Sequence, residues 1–153
     1  MKISAKSRYS LRILFDIALH EVEAQPRTIR QIADSQQISE KFISRLVVPM
    51  RNAGMIHSVR GVQGGFRLAK SPSDITLLDI VETEQGPVTL VSCLAKQEST
   101  LEKPEVVAKG VWGDVNNAFR NILASITLAN ILDRYAPVFT DNPQRLDELI
   151  YCI

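Results

Sequence analysis

Between Ser39 and Met50 the side chains separate by chemistry at helical spacing. Phe42, Ile43, Leu46 and Val47 recur on one side and leave Ser39, Glu40, Lys41, Ser44 and Arg45 on the other. Short hydroxyls and flexible bases on one helix face can hydrogen-bond base edges in a major groove and the phosphates beside them. Arg45 and Lys41 are the expected direct contacts, while Ser39 can serve a phosphate and cap the helix as well. Further along, Arg60 leads into the turn Gly61-Val62-Gln63-Gly64-Gly65. A guanidinium beside backbone that can approach closely is what insertion into a minor groove requires. Arg8, Thr28, Phe42, Ser44, Arg51, Gly61 and Gly64 complete the candidate contacts to a duplex. Taken singly, each of these residues describes an ordinary solvated surface. Basic helix followed at once by glycine turn is the combination that points to DNA.

Such residues need elements to hold them. Tyr9, Leu11, Ile13, Leu14, Ile17 and Ala18 recur at near-helical spacing through SRYSLRILFDIALHEVE and predict a first helix. After Pro26, Thr28 with Gln31 reads as a capping box that opens a short helix through Ile29, Ile32 and Ala33. Ser39 caps the next, which ends at Gly54 and should be kinked or divided by Pro49. Two short helices joined by Asp34 to Ile38 have the turn length of a helix-turn-helix. Met55 to Arg60 and Phe66 to Lys70 then alternate as two strands of a hairpin. Thr76 caps a helix through Leu77, Leu78, Ile80 and Val81, and Pro104 is placed to open a long one. Along that helix Ala108, Val111, Trp112, Val115, Ala118, Phe119, Ile122 and Ile126 form one apolar stripe. A stripe of that length suits pairing with a second subunit, with intramolecular packing as the alternative; Val111, Trp112, Val115, Phe119, Ile122 and Ile126 are the expected dimer contacts. Thr127 caps a last short helix through Leu128, Ile131 and Leu132, and a loosely held tail is expected beyond Pro137.

The net charge of +1 conceals a division. Residues 1–70 hold twelve Lys and Arg against five acids, a net +7, and the remainder holds six bases against twelve acids, a net −6. A basic half joined to an acidic one suits a chain that presents one end to a polyanion. It also argues against a protein-interaction module that has lost DNA binding, the alternative reading, because unmatched charge only adds self-repulsion. An enzyme is not expected: His20 and His57 lie in no nucleophile or metal motif, no GxxxxGK[ST] occurs, and the glycine turn precedes a strand where a dinucleotide site needs a helix. Arg12, Asp16 and His20 interrupt the apolar pattern behind the start and no run reaches about 18 apolar residues, so neither secretion nor a membrane span is expected, and with Cys93 and Cys152 as the two cysteines a reducing, cytoplasmic location is expected.

At the level of whole segments, KISAKSRYSLRILFDIAL, QISEKFISRLVVPMRNAGMIHSVRG and GGFRLA closely resemble the winged-helix regulators of iron-sulfur cluster assembly, nitric oxide sensing and cysteine metabolism, the Rrf2 family. Weaker similarity continues through ITLLDIVETEQGP to ITLANIL. The resemblance implies a bacterial homodimer, a repressor by expectation, whose long helices pair while each recognition helix enters the major groove of a palindromic operator. It places Ser39, Lys41, Phe42, Ser44 and Arg45 on the recognition helix and Arg60 with Gly61 at the wing. The fold class expected is mainly α with a small β-hairpin wing. Its expected division is a winged helix-turn-helix over residues 1–72, a short helix and sensor loop over 73–103, dimerisation helices over 104–136 and a tail over 137–153.

Two departures from the family pattern stand out. Many members carry Glu or Gln where this chain has Ser44, and an acidic side chain there can accept from cytosine, so the family pattern does not fix the operator read here. Cluster-binding members carry three cysteines before the long helix, whereas this loop holds Cys93 alone, with Ser99 and Glu105 at the following steps. His20, His57 and Glu105 are the other conceivable ligands. No iron-sulfur cluster and no other cofactor is expected; sensing falls to the Cys93 thiol, a small ligand or a protein partner, the last through the apolar end Leu149-Ile150-Tyr151-Cys152-Ile153.

Overall fold

The computed structural model describes residues 2–21, 25–61, 64–91 and 103–141. Cys93, Ser99 and the end of the chain, to which a sensing and a docking role were assigned above, lie outside the described residues, as does the side chain of Glu105. The expected class is found: helices α1 (Ala5–Leu19), α2 (Ile29–Gln36) and α3 (Glu40–Asn52), strands β1 (Ile56–Val59) and β2 (Gly65–Leu68), then α4 (Leu77–Gln85), α5 (Lys103–Ser125) and α6 (Leu128–Asp141).

Local chemistry fixes most helix starts. Ser4 accepts from Ser7 N–H, Thr28 and Gln31 form a reciprocal capping box, Ser39 accepts from Phe42 N–H, and Thr76 with Asp79 forms a second box. Thr127 does the same for α6 through Asn130. Between α2 and α3 the chain turns at Gln37, whose φ of 52° is left-handed; its amide donates to the Asp34 carbonyl at 2.8 Å and satisfies one end of α2.

Helix α1 lies at the centre. Ile13, Leu14 and Ile17 are fully enclosed with Ile32 of α2, Ile43, Leu46 and Met50 of α3, Ile56 of β1, Ile80 of α4 and Leu128 of α6. The amphipathic spacing of these residues thus orients α3 with its polar side outward. β1 and β2 pair antiparallel from Ile56 opposite Leu68 to Val59 opposite Gly65, a shorter ladder than the sequence suggested at both outer ends. A third segment supports it, because Arg27 and Phe66 exchange both backbone hydrogen bonds at 2.9 and 2.8 Å.

Four expectations are corrected. α1 ends at Leu19 rather than running on toward Glu23. The His20 ring turns back onto the Asp16 carbonyl at 2.8 Å and occupies an acceptor of the last turn. Pro49 does not divide α3, since it stands in the last turn, where only the bond to the Arg45 carbonyl is forfeited, between the buried Leu46, Val47 and Met50. α6 passes through Pro137 to Asp141, held by Phe139 stacked at a tilt on Phe15 with ring centres 4.9 Å apart. Finally, the apolar stripe of α5 is two faces. Phe119 packs inward with Leu123 on Val81 and Val88, while Val111, Trp112, Val115 and Ile122 are exposed. Ile126 lies past the end of α5 and is half-buried, its carbonyl accepting from Leu77 N–H at 2.8 Å.

α5 is tied to α4 by the ion pair between Arg120 and Glu82, and Glu82 also accepts from Val88 N–H at 2.8 Å. Burial pushes the Glu82 carboxyl up, but the hydrogen bonds from Arg120 and Val88 and the Arg120 charge outweigh it and hold it below its ordinary value. A carboxyl that binds its proton less readily when folded adds stability that is complete above its unfolded value of about 4.3. That stability is lost as the pH falls through the depressed folded value. The melting temperature is therefore expected to fall on acidification through this window, and less steeply in Glu82→Gln. Parallel melting curves for the two proteins would remove Glu82 from this role. Glu84 works in the opposite sense, since burial raises its carboxyl despite the Ser10 hydroxyl and Lys6.

Candidate nucleic-acid interface

Helix α3 buries Ile43, Leu46, Val47 and Met50 and thereby exposes Lys41, Ser44, Arg45, Val48 and Arg51 along one side. Ser44 donates to the Glu40 carbonyl at 2.8 Å, so its oxygen retains only acceptor capacity toward a base. Ser39 is exposed at the first turn, where unpaired N–H groups and the positive end of the helix dipole favour a phosphate. Arg51 lies in the last turn of the same helix. This arrangement offers two guanidinium groups, an ammonium and hydroxyl oxygens to a duplex without exposing the core.

The other predicted contacts fall into different surroundings. Phe42 is half-buried with its ring edge-on to Tyr9, centroids 5.3 Å apart and planes at 88°. It faces inward, as its spacing predicts, and buttresses α3 against α1. Thr28 uses its hydroxyl in the α2 capping box, where it accepts from Gln31 N–H at 3.2 Å. Arg8 is half-buried on α1, and its Nε is enclosed with no hydrogen-bond partner among the described residues.

At the hairpin, Arg60 and Gly61 are exposed. Gly61 has φ +122°, a conformation that L side chains rarely adopt, and its carbonyl accepts from Gly64 N–H at 2.9 Å. A Cβ at Gly64 would stand 2.5 Å from the Val59 carbonyl oxygen, so Gly64 shapes the turn that presents Arg60. Arg67, by contrast, is committed to Glu21 at 2.8 Å on the flank of the wing.

A helix-turn-helix whose second helix shows a basic outer face, followed by a hairpin with an arginine at its end, is the geometry of a winged-helix DNA reader. The model of the family described as Rrf2, iron-dependent transcriptional regulator, matches residues 3–134. The chain belongs to the Rrf2 family. The HTH-type transcriptional regulator CymR of Bacillus subtilis (strain 168) is 34% identical to it over 144 residues, 94% of this chain and 95% of the relative. Among solved structures, that of CymR (YrzC), the global cysteine regulator of B. subtilis, has a TM-score of 0.74 at 34% identity and covers 88% of this chain and 98% of that one. T. potens IscR has a TM-score of 0.68 at 34% identity over 88% of each chain. This Rrf2 protein is thus a DNA-binding transcriptional regulator and not an enzyme. Among its described residues no helix is long and apolar enough to cross a membrane.

Iron-sulfur clusters are held by thiolates, with histidine replacing some of them in particular centres. Two cysteines, Cys93 and Cys152, cannot furnish the three thiolates of a cluster-binding loop. His20 directs Nδ1 at the Asp16 carbonyl, His57 stands on β1 opposite Arg67, and no three His, Cys, Asp or Glu side chains converge among the described residues. The two cysteines of this Rrf2 protein, and its other donors among the described residues, do not fit a cluster of that type.

One feature escaped the sequence reading. Asp16, inside the run from Ile13 to Ala18, is almost fully buried and receives Arg27, Ser35 and Gln36. A lone acid within an apolar stretch was the available signal, since a charge buried without partners is costly.

Proposed function

We propose that this Rrf2 protein acts as a homodimer that represses transcription by occupying a palindromic operator. α3 of each subunit enters a major groove, where Arg45 and Lys41 meet bases and phosphates. Arg60 enters the adjoining minor groove from the wing. The observation that carries this reading is the sidedness of α3, with Ile43, Leu46, Val47 and Met50 enclosed and Lys41, Ser44 and Arg45 exposed next to a hairpin ending in Arg60. The exposed apolar face of α5 supports pairing of two subunits, which suits an operator with twofold symmetry. Sensing falls to the Cys93 thiol, a small ligand or a protein partner. Kinship with a global cysteine regulator favours sulfur supply as the signal.

The test is titration of a duplex that the protein itself selects from a randomised pool, at two salt concentrations. Wild-type affinity should drop steeply as salt rises, because phosphate contacts release counterions. Arg45→Ala should lose about 1–3 kcal/mol if it reads a guanine, and Arg60→Ala should relax preference for an A·T-rich flank. Unaltered binding by both variants would mean that another face meets the DNA.

A further inference from the structure

Arg27 stands where three elements cross. Its backbone exchanges hydrogen bonds with Phe66 of β2 at 2.9 and 2.8 Å. Gly65 passes so near that a Cβ there would be 2.5 Å from the Arg27 carbonyl oxygen. The wing is therefore laid directly on the segment before α2. The Arg27 side chain is in turn clamped by Asp16 of α1, Nε to Oδ2 at 3.0 Å and Nη2 to Oδ1 at 3.2 Å, with side-chain exposures of 14% and 2%. Asp16 Oδ1 also accepts from Ser35 at 2.6 Å and Gln36 at 3.3 Å, both on α2, and Gln36 accepts from Arg12.

A two-point fork fixes direction as well as distance, which a single charge contact does not. Two strands this short are marginal by themselves, so the anchor at Phe66 governs where the tip of the hairpin stands. We propose that the buried Asp16–Arg27 clamp sets the position of the wing relative to α3, making Arg27 a positioning residue for flank specificity that never touches DNA. It acts in this way only if the wing enters the minor groove as proposed above.

The probe is the duplex selected by the wild-type protein from a randomised pool. Arg60→Ala is measured on it in three backgrounds: wild type, the charge-balanced pair Asp16→Asn/Arg27→Gln, and Arg27→Lys, which keeps the charge and loses the fork. The loss should be about tenfold in wild type and below about threefold in both altered backgrounds, the non-additivity expected of residues acting as a unit. Renewed selection with either altered background should recover the bases read by α3 and lose the flank, whereas simple destabilisation would weaken all positions alike. An equal Arg60→Ala loss in all three backgrounds overturns the positioning role and leaves the wing in its groove. No loss in wild type overturns the minor-groove reading, and the clamp's role with it. Should Asp16→Asn/Arg27→Gln fail to fold, Arg27→Lys carries the comparison.

Discussion

If two subunits pair through α5 as proposed, Val115→Glu is expected to leave the protein monomeric and to weaken operator binding by about a hundredfold or more. Val107, Val111, Trp112, Val115 and Ile122 are all between 44% and 68% exposed, although each is large and apolar. Their spacing, with Ala118 between, puts them on one side of α5 in steps of three and four residues. Water against such a strip is unfavourable, and pairing with a second copy of the same helix, as proposed, would remove it. A carboxylate at the centre would have to be desolvated opposite its own symmetry mate, a like-charge contact that costs several kcal/mol by analogy with other interfaces. DNA binding follows, because two recognition helices joined by a dimer bind as one ligand, whereas a monomer docks each half-site at its own intrinsic affinity. Sedimentation equilibrium reads the first effect and titration of the selected duplex the second. As position 115 is on the surface, thermal stability of the monomer should move by no more than about 0.5 kcal/mol. A Val115→Glu protein that remains dimeric and binds normally would assign the strip to another purpose.

What the sequence made legible, and what it hid, follows from the range of each interaction. Thr28, Ser39, Thr76 and Thr127 were readable as caps because a cap bonds a neighbour three residues away. The polar side of α3 was readable for the same reason. Pro49 and Pro137 were over-read: the rule that proline ends a helix is local, and burial of Met50 in one case and Phe139 on Phe15 in the other outweighs the missing bond. Phe119 and Trp112 illustrate a different limit. Periodicity places both on an apolar surface of α5 but cannot say that one meets the chain's own Val81 and the other meets solvent. For the Asp16 cluster only the lone acid was legible; its partners were not, since Arg27, Ser35 and Gln36 come to it from a separate segment and only the fold brings them together.

That cluster carries the largest stability effect expected from one substitution. Arg27→Ala should lower folding stability by about 3–5 kcal/mol, the range for removing one partner from a buried pair. The loss is large because the Asp16 carboxylate would be left without its counter-charge, held only by Ser35 and Gln36, in surroundings where hydration cannot replace the guanidinium. Adding Asp16→Asn should restore a substantial part of the stability, since a neutral amide needs no counter-charge and can still pair with Ser35 and Gln36. Chemical denaturation of the single and double variants reads both steps. If Arg27→Ala loses less than about 1 kcal/mol, the pair resembles an exposed ion pair and the burial of Asp16 means less than its surroundings imply. If the second substitution deepens the loss, the carboxylate stabilises α1 and α2 through Ser35 and Gln36 even without Arg27, and the net contribution of the cluster lies in its hydrogen bonds rather than in its charge.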